Sequence, residues 1–294
     1  MAQAKVKPEV KNGRNWKKST IIFTVAASLL LLIANSGFWV NQQVFNSNQF
    51  ADTVTTSLTS DSSKSAIASG VADKAFEGRP IAAKVLTTPV TNLVDGLLGT
   101  NAAEKAIHTV AERLNILVTS KEKKVVAFDL TGVKSVLERL SGAAGNAAPD
   151  KLDVNAIPDK ITLLDSAKLP DLYTYSLAML WITPIALLGA AAVLALPYLR
   201  NRSQWRKILP IQGVGIAAAG VLAMAIGPLF RPVVLGNISE SLPRTIVGNL
   251  YDSFIDTYNH QSMYLIWIGV LVLVASLAIY LYFKQLPRLR SKKN

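Results

Sequence analysis

The sequence predicts a mainly α protein, a four-helix transmembrane bundle with a mostly helical extracytoplasmic domain that contains a small two-stranded sheet. Three observations lead there. Half of the 294 residues are hydrophobic, only 17% are charged and the mean hydropathy is +0.31, too apolar for an ordinary soluble domain. Four long runs contain no Asp, Glu, Lys or Arg. Between the first two of them lies a long stretch of amphipathic composition in which basic and acidic residues balance.

The uncharged runs are Ser19 to Val40, Leu172 to Leu199, Ile208 to Phe230 and Gln261 to Phe283. Each meets the roughly 20 apolar residues needed to cross a bilayer core as a helix. The chain therefore divides into a basic tail (1–18), span one (19–40), an outer domain (41–170), span two (171–199), a short inner loop (200–207), span three (208–230), a second outer segment (231–260), span four (261–283) and a basic tail (284–294). Lys17 and Lys18 before span one, with Ala34 and Ser36 as a small-residue cleavage site within it, would also fit a signal peptide. The apolar stretch continues through Gly37, Phe38, Trp39 and Val40, so an uncleaved anchor is the expectation.

Orientation follows from the basic residues that flank the spans. The two tails and the inner loop hold fifteen Lys and Arg against the lone Glu9, whereas Asn41 to Pro170 holds fourteen of each sign. Both termini are expected in the cytoplasm, with the large domain outside. The net charge of +12 is thus topological, which removes the nucleic-acid reading that a pI near 9.8 invites. Membrane lipids are the expected surroundings, and anionic headgroups would feel only a generic attraction.

Within the outer domain, Ser47 and either Ser60 or Asp61 are candidate helix caps, the second opening a segment with Ile67, Val71 and Ala75 four residues apart. Pro80 suits another helix start, followed by Ile81, Val85, Val90, Leu93, Val94 and Leu97, with a break at Pro89. Asn101 with Glu104 resembles a capping box for a helix striped by Ile107, Val110, Leu114, Leu117 and Val118. The β-branched and aromatic run Val125 to Leu130 reads as a strand, and Ile161 to Leu164 is its expected partner. Between them Thr131 opens a short helix with Val133, Val136, Leu137 and Leu140, and Gly142 to Pro149 reads as a linker. In the second outer segment Ile246, Leu250, Phe254 and Tyr258 recur at helical spacing, an interaction face expected to pack under the outer domain.

Span three carries Gly215, Ala219, Ala223 and Gly227 on one face. Small residues at that spacing let helix backbones approach, so a packing face is expected, toward Ala186 and Ala190 of span two or a second protomer. Pro184 and Pro228 could kink their helices. Asn35 and Gln212 are the deep amides, each adequately explained by one interhelical hydrogen bond.

Chemical motifs are scarce. Zero Cys excludes disulfides, cysteine-ligated zinc and thiol nucleophiles. The spans lack the ionisable residues that proton relays and ion-coupled carriers place at membrane depth. No Gly-x-Ser-x-Gly elbow, His-Glu-x-x-His helix or phosphate-binding glycine loop occurs. His108 reads as a surface or packing residue and His260 as an interfacial one, so no catalytic, cofactor or metal residue is assigned. Asn237-Ile238-Ser239 fits a glycosylation acceptor, a motif common by chance.

The order of parts resembles a group of four-span integral membrane proteins of actinobacteria and related Gram-positive lineages. Span one ends in Ser36-Gly37-Phe38-Trp39-Val40; then follow Asp52-Thr53-Val54, the segment from Ser60-Asp61 to Phe76, Val126-Ala127-Phe128-Asp129-Leu130 and three closing spans. The resemblance implies a bacterial plasma membrane and carries no catalytic or ligand residues. The layout is also similar to ABC-type mechanotransmission permeases, although the inner loop from Arg200 to Lys207 is short for docking an ATPase. The sequence expectation is therefore a non-enzymatic scaffold or accessory subunit of an envelope complex, engaging a protein partner or a second copy through its outer domain. The alternative is a permease-like or lipid-handling component with a cavity lined by Ile107, Val110, Leu114, Ile246 and Leu250.

Overall fold

The computed structural model describes residues 15–75, 94–119, 126–129, 160–164, 172–236 and 241–291, with isolated positions at 88, 91, 92, 238 and 239. In chain order the elements are α1 (Asn15–Trp39), a π-helical turn (Val40–Val44), α2 (Ser47–Leu58), α3 (Asp61–Ala75), α4 (Asn101–Thr119), β1 (Val126–Asp129), β2 (Lys160–Leu164), α5 (Leu172–Arg200), a 3-10 turn (Arg202–Gln204), α6 (Trp205–Leu235) and α7 (Ser241–Ser291). They form two compact units, Met1–Asn41 with Met179–Asn294, and Gln42–Ala178.

Four helices are long and apolar enough to cross a membrane: Trp16–Val44, Tyr173–Arg200, Arg202–Leu235 and Ser241–Lys284. In the helical unit the usual burial pattern is inverted. Ala27, Ala34, Ala186, Ala190, Ala219 and Ala223 are buried, whereas Leu188 and Leu229 are each 70% exposed. Water would not tolerate so large an apolar exterior, but lipid tails solvate it, and small residues then drive helix contact by close packing. A multi-pass membrane protein is what this surface fits.

The spans are longer than the uncharged runs. Arg231 lies inside α6, and Asp252 and Asp256 lie inside α7, because single charges do not stop a helix. The helix expected in the second outer segment is continuous with span four. Residues Ser241 to Tyr258 are the first turns of α7, one helix of 51 residues, since Asn259-His260-Gln261 is polar but contains neither Gly nor Pro to end it. Pro184 and Pro228 both lie within unbroken helices.

In the second unit α2 packs on α4. Ala51 of α2 and Ala111 of α4 are buried, and the Asn115 side-chain amide donates to the Val44 carbonyl at 2.6 Å. Caps fall one residue earlier than expected. Asn46, not Ser47, accepts from the Gln49 amide at 3.2 Å, and Thr100, not Asn101, accepts from the Ala103 amide at 3.2 Å. Ser60 receives the Ser63 amide at the start of α3. Across that turn the exposed Asp61 pairs with Lys64 at 3.0 Å, which raises the pKa of the lysine.

β1 and β2 run antiparallel, with Ala127 opposite Thr162, Phe128 opposite Ile161 and Asp129 opposite Lys160. Of the helix expected after Pro80, residues 94–98 are helical and most of the remainder falls outside the described residues. The helix expected after Thr131 and the Gly142 to Pro149 linker also lie outside them.

Candidate functional site

The most elaborated region among the described residues is the seam where α1, α6 and α7 meet. It begins with backbone contact between α6 and α7. Gly213 and Gly220 lie two turns apart on α6, and a side chain at Gly220 would stand 2.9 Å from the Ser262 carbonyl, while one at Gly213 would stand 3.0 Å from the Gly269 carbonyl. From the opposite helix, a side chain at Gly269 would run into the backbone nitrogen and side chain of Ala217. Three glycines thus let the two helix backbones approach closely, with Leu273 and Ile266 of α7 packed over Gly213 and Gly220.

The stripe read from the sequence has a more divided role. Ala219 and Ala223 are fully buried. At Gly215 the space a side chain would need is filled by Thr24 and Ser28 of α1, and at Gly227 by Ile255 of α7. The stripe therefore passes from one neighbour to another along its length. Of the expected partners, span two or a second protomer, span two does not fill the positions at Gly215 and Gly227. Gly189, between the buried Ala186 and Ala190, faces Leu30 of α1 at 3.5 Å, and Gly37 of α1 is covered by Thr183. Span two meets α6 nearer their joined ends, where Gln212 donates to the Leu194 carbonyl at 2.6 Å and accepts from Tyr198 at 2.8 Å.

A polar seam runs along the α1–α7 contact. Asn35 donates to Ser262 at 3.0 Å, Gln261 donates to both the backbone and side-chain oxygens of Asn35, and Ser262 donates back to the Tyr258 carbonyl at 2.8 Å. One turn further along, Ser36 and Tyr258 share a hydrogen bond of 2.8 Å and the Trp39 indole donates to Thr257 at 2.9 Å. Asn35 and Ser262 are buried, and away from water each bond replaces a costly unsatisfied polar group. Asn35 was visible in the sequence; its partners were not, because a Ser and a Gln at the edge of an apolar run look like boundary residues.

The face expected at Ile246, Leu250, Phe254 and Tyr258 is part of this seam. The Trp39 ring stands edge-on to Phe254, with centroids 6.4 Å apart, and to Tyr258, with centroids 5.3 Å apart. Ile246 and Leu250 are half-buried nearer the start of α7. There Arg231 of α6 makes a two-pronged ion pair with Asp252, at 2.8 and 2.9 Å, and Tyr251 donates to the Gly227 carbonyl at 2.7 Å. The three residues expected to share a cavity with that face, Ile107, Val110 and Leu114, are half-buried on α4 in the other unit.

His108 of α4 lies 3.2 Å from Asp52 of α2, a brace between the two helices. His260 stands edge-on to Tyr264, with centroids 5.9 Å apart. Among the described residues no group of three His, Asp or Glu converges as metal ligands. Compared with protein-family models, curated proteins and solved structures, the chain matches none. What the seam can do chemically is fix three helices against one another by backbone packing and hydrogen bonds.

Proposed function

We propose that this protein is a membrane scaffold of the bacterial plasma membrane, a non-enzymatic accessory subunit of a cell-envelope complex. Its termini lie in the cytoplasm, and the Gln42–Ala178 unit engages a protein partner on the outer side. The observation that carries this reading is the direct backbone contact of α6 with α7 at Gly213, Gly220 and Gly269, backed by the Asn35–Ser262 bond from α1. Such close packing supports reading the bundle as a fixed anchor rather than a moving gate. The compact unit inserted between α1 and α5 then carries the recognition. Its orientation is supported by the excess of Lys and Arg in the tails and inner loop.

Photo-crosslinking in native membranes tests the reading. Ile116, 47% exposed on α4, and the neighbouring exposed Arg113 are suitable positions for the probe. One protein partner captured in stoichiometric amount at both positions is the expected outcome. Adducts to lipid alone would remove it.

A further inference from the structure

One end of the bundle gathers seven exposed cations from four helices: Lys17 and Lys18 of α1, Arg200 of α5, Arg202 in the 3-10 turn, Arg206 and Lys207 of α6, and Lys284 of α7. Among the described residues this end of the bundle offers them no counter-charge. Segments 15–51, 172–239 and 257–294 contain no Asp or Glu, and the bundle's two described carboxylates, Asp252 and Asp256, lie toward the far end of α7.

Aromatic faces hold five of these cations instead. Lys17 and Lys207, from two different helices, stand 5.8 and 5.9 Å from the Trp16 ring, and Arg206 stands 3.6 Å from Phe283 and 5.6 Å from Trp205. Arg200 lies over Phe23 at 6.0 Å and Lys284 over Tyr280 at 6.0 Å. A ring face positions a cation but supplies no negative charge, so two ammonium groups brought to one indole still repel each other. The same end holds the first turns of α1 and α6, whose partial positive charges add to the repulsion because neither turn contains an acidic residue.

We propose that this collar seats the phosphate of an anionic phospholipid, with Trp16, Lys17 and Lys207 as the principal seat and Arg206 on Phe283 beside it. Charge complementarity selects an anion. The position selects a lipid, because the cations stand where four apolar helices end and the exposed rings of Tyr280 and Tyr282, 60% and 64% exposed, occupy the depth of headgroups. The seat differs from a generic basic fringe in that an indole fixes two cations from separate helices around one point. The proposal does not depend on the scaffold reading.

The test is native mass spectrometry of the full chain in nanodiscs of phosphatidylcholine doped with phosphatidylglycerol. Selective retention of phosphatidylglycerol is expected. Lys207→Gln should lower that retention about fivefold, the worth of one cation near a lipid surface. Trp16→Leu, which changes no charge, should lower it comparably, and Trp16→Phe should restore most of it. Arg244→Gln, the same loss of charge at the other end of the bundle, should leave it unchanged. Thermal melts confirm that each variant is folded. Equal retention in Trp16→Leu and the parent, or equal loss in Arg244→Gln and Lys207→Gln, would reduce the collar to nonspecific charge and overturn the proposal. Inorganic phosphate at millimolar concentration should not displace the lipid; full displacement would make this a site for free phosphate instead.

Discussion

Gly269 of α7 lies so close to Ala217 of α6 that a β-carbon on the glycine would overlap the alanine's backbone nitrogen. The two helices meet there at the distance their backbones permit, and Gly213 and Gly220 hold the same approach on either side of Ala217. In a bilayer, where lipid tails solvate a leucine as well as a neighbouring helix does, this closeness is the main source of attraction between spans.

Enlarging that position should therefore be costly. Gly269→Leu is expected to destabilise the bundle by at least about 2 kcal/mol, the upper range of overpacking penalties, read as a lower unfolding midpoint in mild detergent. Gly96 has open space around it, and Gly96→Ala should be neutral or slightly stabilising. Similar midpoints for both variants would show that the α6–α7 contact is looser than the geometry implies.

The polar seam makes a second prediction. Asn35→Ala and Ser262→Ala should each destabilise by about 0.5–2 kcal/mol, and the double variant by less than their sum, because the two side chains share one buried bond. A double-mutant cycle measures the coupling. Strict additivity would mean that Gln261, which also reaches Asn35, takes over the lost bond.

At the start of α7 the Arg231–Asp252 pair is about half exposed on both sides, so its strength should be modest. Asp252→Asn is expected to shift stability by less than about 1 kcal/mol, and the shift should shrink as salt is raised. A larger, salt-independent loss would place the pair in a drier setting than its exposure indicates.

Much of this architecture was legible because a bilayer imposes a simple rule, long runs without charge, and α1, α5, α6 and α7 each contain such a run. The runs did not mark helix ends, because Arg231 and Asp252 sit inside their helices and pair with each other. Caps shifted by one residue where two cap-forming residues are adjacent, as in Asn46-Ser47 and Thr100-Asn101, since local sequence does not decide which of two neighbours leaves helical geometry. The stripe Gly215 to Gly227 was visible at regular spacing. The column at Gly213, Ala217 and Gly220 alternates steps of four and three, and becomes meaningful only once Gly269 lies opposite it. Partner choice was illegible for a related reason: Ala186 and Ala190 are as small as any interface residue, and nothing in their own helix says whether α1 or α6 will face them.

Trp39 provides the last test, because it joins the end of α1 to the part of α7 that the sequence alone assigned to an outer helix. Its ring is edge-on to both Phe254 and Tyr258, and its indole nitrogen donates to Thr257 at 2.9 Å. Edge-to-face pairs contribute about 0.5–1.5 kcal/mol beyond the area they bury. Trp39→Leu and Phe254→Leu keep an apolar side chain at each position, so a double-mutant cycle isolates the ring contact from simple burial. The expected coupling lies in that range, and Leu250→Ala, one turn nearer the start of α7, should add independently to Trp39→Leu. Coupling of Trp39 to Leu250 rather than to Phe254 would mean that this part of α7 sits rotated on α1, and that the seam described around Tyr258 is wrong.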